Sequence, residues 1–290
     1  MWAWATSACS FEGAQRMTPL SSSALETVRA NALYLLREAL ESIRAQDAYE
    51  QSGRPYVEVA WFYRRVGLCE LLSEARTDRF FVYLCKSAQA RLHLLQRAAG
   101  GRPAQRQHTC ASKNFSFMDA LAAGQLELAS RLARLTTDRH EPSLEYEEDF
   151  LLHHFLHRLT LGAPAAEASE LRPLLARWEA VLQGDVTCHL ALCQALLTRD
   201  AKRFHRALAD AIAQRAVTFK ERKSDGGPQD VVLTEPHVYV TGLALLRLAE
   251  LRGMETFREY PTLPRLARVP LALAPPPEDS WLSPGLGVPP

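Results

Sequence analysis

The sequence predicts an all-α fold, and three observations carry that expectation. Apolar residues recur at three- and four-residue steps along most of the 290 residues. Helix start and stop residues bracket those runs, and no run of strands alternates with a two-residue period. The expected architecture is a single globular array of about eight to ten helices, packed as antiparallel hairpins and helical-repeat-like in the C-terminal half.

The first helix opens at Ser23-Ala-Leu-Glu26, a capping box in which a hydroxyl and a carboxylate satisfy free amides. Leu25, Val28, Ala32, Leu36, Ala39 and Ile43 then form one apolar stripe. A second helix is expected from about Val57 to Glu74. A third runs from an Asp78 cap to Gly100-Gly101, with Phe81, Leu84, Cys85, Ala88, Leu92 and Leu95 facing inward.

The polar stretch 100–114, basic and without acidic residues, is a soft division of the chain. Beyond it, Phe117 to Leu135 reads as a hairpin whose Ala122, Ala123 and Gly124 admit a close helix neighbour. Further helices are expected from Leu144 to Leu161, Pro173 to Leu182, Val186 to Leu197 and Ala201 to Lys220. Pro173 suits a first turn, where its missing N–H costs nothing. The last helix should start near Thr234-Glu-Pro236 and stop at Gly253, after a Val231-Val-Leu233 that could be extended.

Residues 1–17 are expected to be an extension outside the helical domain of 18–255, disordered or preceding a true start at Met17. Residues 256–290 form a proline-rich tail. The final 30 residues hold 9 of the 17 prolines, which bars a helix there.

The formal net charge is +1, with both signs balanced on either side of residue 150. The field that drives non-specific binding to nucleic acid or anionic membrane is therefore missing, and neither is an expected partner. The N-terminus lacks the pattern of a signal peptide, and no apolar run is long enough to span a membrane, so a cytoplasmic location is expected. The six cysteines are diluted among apolar helical patterns and read as reduced thiols.

Three stretches could carry a site. Glu141, Glu145, Glu147, Glu148 and Asp149 place five carboxylates within nine residues. Such a cluster complements a helix N-terminus, and it equally suits a basic protein partner. Asp149, His153 and His157 share one helix face and are the weak metal candidates, although neither an HExxH nor an ExxH pair is present. A helix carrying its histidines on a boundary face explains them as well. Trp61-Phe-Tyr-Arg-Arg65 combines interface-prone residue types; most belong to a core, with Tyr63 or Arg64 the ones to expose. No nucleotide loop, nucleophile elbow or CxxC pair occurs, and no cofactor or catalytic residue is assigned.

The C-terminal half carries a family resemblance. Leu190-Ala-Leu-Cys-Gln-Ala-Leu-Leu-Thr-Arg-Asp-Ala-Lys-Arg-Phe-His-Arg-Ala-Leu-Ala-Asp-Ala-Ile212 pairs a short helix with a longer one opened by Asp200 and anchored by Phe204. Gly242-Leu-Ala-Leu-Leu-Arg-Leu-Ala-Glu-Leu-Arg-Gly253 follows, then Tyr260-Pro-Thr-Leu-Pro264. With the third helix (Phe80 to Ala99), this arrangement resembles the immunity protein 49 family of bacterial polymorphic-toxin systems over roughly residues 18–268. The resemblance implies a helical, non-enzymatic protein that neutralises a secreted toxin in the cell producing it, and it brings no contact motif with it. The expected partner is thus a cognate toxin, with Glu145, Glu147, Glu148, Asp149, Tyr63 and Arg64 as candidate contacts and the oligomeric state open. The alternatives are a helical-repeat adaptor holding a peptide in a groove and, behind it, a metal-dependent hydrolase.

Overall fold

The computed structural model describes residues 22–162, 167–185, 187–270 and 273–286, so the extension at 1–17 lies outside the described residues. Twelve α-helices and no strand occur among them. This is the all-α class expected, with two additional short helices.

Local chemistry sets most boundaries. Helix α1 (Ser22–Ala45) buries the whole predicted stripe and adds Leu40. Helix α2 (Ala48–Gln51) is a single turn capped by Asp47, whose side chain accepts from the Glu50 amide. Helix α3 (Arg54–Glu74) starts after Gly53, whose φ of +83° suits glycine, and has Pro55 in its first turn. Helix α4 (Thr77–Ala99) begins just before Asp78, which pairs with Arg76 and is not the cap.

Helices α5 (Phe115–Ala122) and α6 (Leu126–Leu135) form the expected hairpin, turning at Gly124 with φ +72°. Helices α7 (Glu147–Leu161), α8 (Glu167–Leu182), α9 (Cys188–Thr198) and α10 (Ala201–Ser224) follow. Pro173 lies inside α8, past the first turn where it was expected. A proline there removes a backbone bond and costs about 3 kcal/mol, and buried Leu171, Leu175 and Trp178 hold the helix in place against that cost.

The segment around Val231 is not extended. It forms α11 (Gln229–Thr234), because burial of Thr234 against α3 outweighs the β preference of two valines. Helix α12 (Val240–Leu251) consequently begins after Pro236 instead of with it.

Helix α3 lies centrally, against α1, α2, α4 and α11. From Tyr63 to Leu71 every residue of the helix is buried, Arg64, Arg65 and Glu70 included, so each of those charges needs a partner inside the protein. Glu70 meets Arg29 of α1 at 2.6 Å and Arg79 of α4 at 2.8 Å. Arg64 meets Asp119 of α5 at 2.7 Å, and Asp119 also accepts from Ser87 of α4 at 2.6 Å. Arg65 lies 3.2 Å from Asp230 of α11 and 3.6 Å from Glu235.

The largest apolar cluster runs from Leu68 on α3 through α12 to Val269, crossing residues 100–114 without a break. A second cluster joins α1, α3 and α4 to Trp281 near the C-terminus. Helices α5 and α12 pack together, and Ala120 and Ala122 of α5 and Ala244 of α12 are buried. At Gly242 a Cβ would lie 2.5 Å from Tyr239 and 2.8 Å from Leu263, so this position is closed to any side chain.

Two outcomes are expected from denaturant unfolding. Asp119→Ala leaves the Arg64 charge buried and unpaired, and should cost about 3–5 kcal/mol, with much of it recovered in an apolar double replacement. Gly242→Ala should cost about 1–3 kcal/mol through overpacking. A near-neutral Asp119→Ala would show that water reaches Arg64.

Candidate functional site

The acidic stretch before and within α7 divides when folded. Glu145 is buried, and its carboxylate accepts from the Ser112 amide at 2.8 Å, tying down the loop that precedes α5. Glu147 pairs with Arg177 of α8 at 2.5 Å. Glu148 and Asp149 are exposed and stand on the rim of a cleft of about 460 Å³.

This cleft lies between the start of α7 and the middle of α10. Leu152 and His153 of α7 form one wall, and Gln214, Arg215, Thr218, Phe219 and Arg222 of α10 form the other. Trp178 of α8, His189 of α9 and Tyr239 before α12 also line it. The α10 residues recur at three- and four-residue steps, so one helical face supplies the wall while Phe204, Ala207, Leu208 and Ala211 anchor the helix. The Arg215 guanidinium sits between the rings of Phe219 at 4.5 Å and Tyr239 at 4.7 Å. It also donates to the Glu235 carbonyl at 2.6 Å.

His189 Nε2 lies 3.0 Å from the Tyr239 hydroxyl. Burial holds the His189 imidazole below its ordinary value and the Tyr239 phenol above its own, so both are neutral near pH 7. Burial, followed by the Arg91 charge, pushes His153 down to about 3. The Cys188 thiol beside the cleft is pushed up by burial, which keeps it protonated. The cleft therefore offers aromatic faces, neutral imidazoles and hydrogen-bond donors. His153 Nδ1, Trp178 Nε1 and Arg215 Nε are buried there without a hydrogen-bond partner.

The helical alignment of Asp149, His153 and His157 does not become a ligand set. His157 turns into the core, edge-on to Phe117 at 4.5 Å and 3.1 Å from the Asn114 side-chain amide, while Asp149 stays at the rim. Among the described residues no three His, Cys, Asp or Glu side chains converge as a metal site.

The expectation of exposure at Tyr63 or Arg64 is corrected. Both are buried, Tyr63 because α3 is enclosed on all sides from there to Leu71 and Arg64 because it pairs with Asp119. Sequence reasoning missed Trp178, His189, Arg215 and Tyr239. They come from four separate elements, and only the polar stripe of α10 left a readable trace.

This geometry defines a class: an all-α protein with a polar-rimmed cleft, in which no helix among the described residues is long and apolar enough to cross a membrane. The model of the family described as Immunity protein 49 matches residues 72–267, about two thirds of the sequence, and the chain belongs to that family. No curated protein and no solved structure matches it.

The histidines predict an acid sensitivity. A buried imidazole with a folded pKa near 3, against an ordinary 6.5, stays neutral while the unfolded chain takes up a proton. Stability should be full above pH 6.5 and fall as the pH drops toward 3. Melting temperatures measured from pH 7 to pH 4 should show this slope, and His153→Gln should flatten part of it. An identical slope in the variant would assign the effect to other groups.

Proposed function

We propose that this protein is a cytoplasmic bacterial immunity protein that binds a cognate secreted toxin and neutralises it by occlusion, not by catalysis. Family membership over residues 72–267 carries the reading. The cleft supports it, because a concave surface of aromatic rings and polar side chains suits recognition. Burial keeps the Cys188 thiol protonated and makes His153 a weak base, which fits a binding surface.

We take the toxin's contact to centre on the cleft rim at Glu148 and Asp149, the two carboxylates of the acidic stretch that are exposed and not spent on internal partners. A rim of that charge calls for a basic surface opposite it. Protection in the producing cell requires binding of the order of nanomolar or better, about 12 kcal/mol. An interface of roughly 1,600 Å² reaches well beyond the cleft, so the rim would steer the encounter while neighbouring helix faces supply area.

The test pairs growth with kinetics. The toxin domain encoded beside this gene should arrest growth when expressed alone, and co-expression of this chain should restore it. Glu148→Lys with Asp149→Lys should slow association about tenfold and weaken its salt dependence. Failure of the wild-type chain to restore growth would remove the immunity reading. Restored growth with unchanged association in the double variant would move the contact to another face.

A further inference from the structure

The proline-rich segment 275–286 lies outside the family-matched stretch and packs on a groove formed by α1, α3 and α4. Its anchor is Trp281, which is 2% exposed, with its ring 5.1 Å from His93 and 6.0 Å from Tyr56. Groove side chains capture the carbonyls along the segment. Gln89 donates to Pro276 and Pro277 at 3.1 and 3.0 Å, and Arg44 to Leu282 at 3.2 Å. The Tyr63 hydroxyl lies 2.6 and 2.7 Å from the carbonyls of Trp281 and Ser283. The Lys86 ammonium donates to Ser283 at 2.8 Å and also to Gly285.

Apart from contacts of the Ser280 and Glu278 side chains, these bonds run from groove donors to main-chain carbonyls. The segment's amides at Ser280, Leu282 and Ser283 bond within the segment itself. A groove of donors with aromatic walls matches a proline-rich chain, which lacks many amide protons and presents its carbonyls outward.

Two further observations point to a ligand site and not to ordinary core. Lys86 is fully buried on α4, and its described hydrogen-bond partners are segment carbonyls, not a carboxylate. It therefore requires an acceptor-bearing chain in the groove. Beside the buried Trp281 anchor, the segment forms one wall of an open pocket of about 260 Å³ whose other walls are α4 and α6. Pro275, Pro276, Glu278 and Asp279 thus border solvent-accessible space and not close-packed interior.

We propose that this groove is a binding site for proline-rich, tryptophan-anchored peptides, and that the chain's own residues 275–286 occupy it as an exchangeable ligand held in cis. This groove is a different surface from the cleft rim proposed above as the toxin contact, which is on α7.

The probe is a fluorescent synthetic peptide of residues 273–286, added to the full-length protein. Trp281→Ala should free the groove, and this variant should bind the peptide. The wild-type chain should bind at least a hundredfold more weakly, because its own segment competes at an effective concentration near millimolar. A peptide with Trp281→Ala should bind neither protein, and adding Lys86→Met to the freed variant should abolish binding. A Trp281→Ala protein that keeps its helical signal and cooperative melt yet binds no peptide would overturn the proposal. If that variant does not fold, hydrogen exchange on full-length Tyr63→Phe decides. Faster exchange confined to residues 273–286 supports an exchangeable segment, and acceleration shared with α3 and α4 refutes it.

Discussion

The structure depends on the need to satisfy charges on a stretch of helix that has no solvent face, Tyr63 to Leu71 of α3. Helix α3 carries Arg64, Arg65 and Glu70 within seven residues, all buried. An unpaired charge in such a place costs several kcal/mol, so each one selects a particular neighbour. Glu70 fixes α1 and α4 together through Arg29 and Arg79. Arg64 reaches α5 through Asp119, and Arg65 reaches α11 through Asp230. Apolar burial alone would permit α3 to rotate or slide among its neighbours. The ion pairs admit one register, and in this protein we assign them that specifying role.

Much of the architecture was legible in the sequence because helix physics is local. The α1 stripe, the hairpin turn at Gly124, and the Asp200 cap with Phe204 behind it all follow from spacing within a few residues. Failures came where a distant contact decides. Val231 and Val232 prefer extended backbone in isolation, but the neighbouring Arg65 contacts draw their segment into α11. Tyr63 and Arg64 looked like interface residues because aromatic–arginine composition is common to binding surfaces and to buried polar networks. What separates the two is whether Asp119 sits opposite, and residue 119 is on another helix. The cleft was legible at its acidic rim, at His153 and in the polar stripe of α10, whereas Trp178, His189 and Tyr239 reach it from separate elements far along the chain.

The cleft and the buried histidines share one physical origin. Burial comes first for His153, His157 and His189, followed by Arg91 beside His153, Arg215 beside His189, and the neighbouring His153 and His154 rings beside His157. Burial and those cations act in the same direction and keep the rings neutral. Neutral rings stack on aromatic neighbours and leave Nδ1 or Nε2 available as single donors or acceptors. Such rings can hold a partner by shape and hydrogen bonding. The same arithmetic explains why a face that looks suited to metal binding in sequence need not bind metal. His157 is committed to Asn114 and Phe117 before any ion arrives.

The span of the family match divides these features in a way that bears on how function is distributed. Residues 72–267 include every residue lining the cleft. They omit α1, most of α3, and the segment that carries Trp281. The cleft thus lies wholly inside the matched stretch, and the peptide groove only in part. Gln89 and Lys86 lie within the shared stretch, whereas Tyr63, Arg44 and the segment itself do not. Helix α4 lies inside the matched stretch, while most of α3 and the segment that complete its groove lie outside it. Through Arg64, paired with Asp119 on α5, α3 is tied to the helix that lines the cleft with Phe115 and Met118. Displacement of the segment would loosen the groove around Tyr63, one residue from that ion pair. The two surfaces are therefore joined by a single turn of one buried helix.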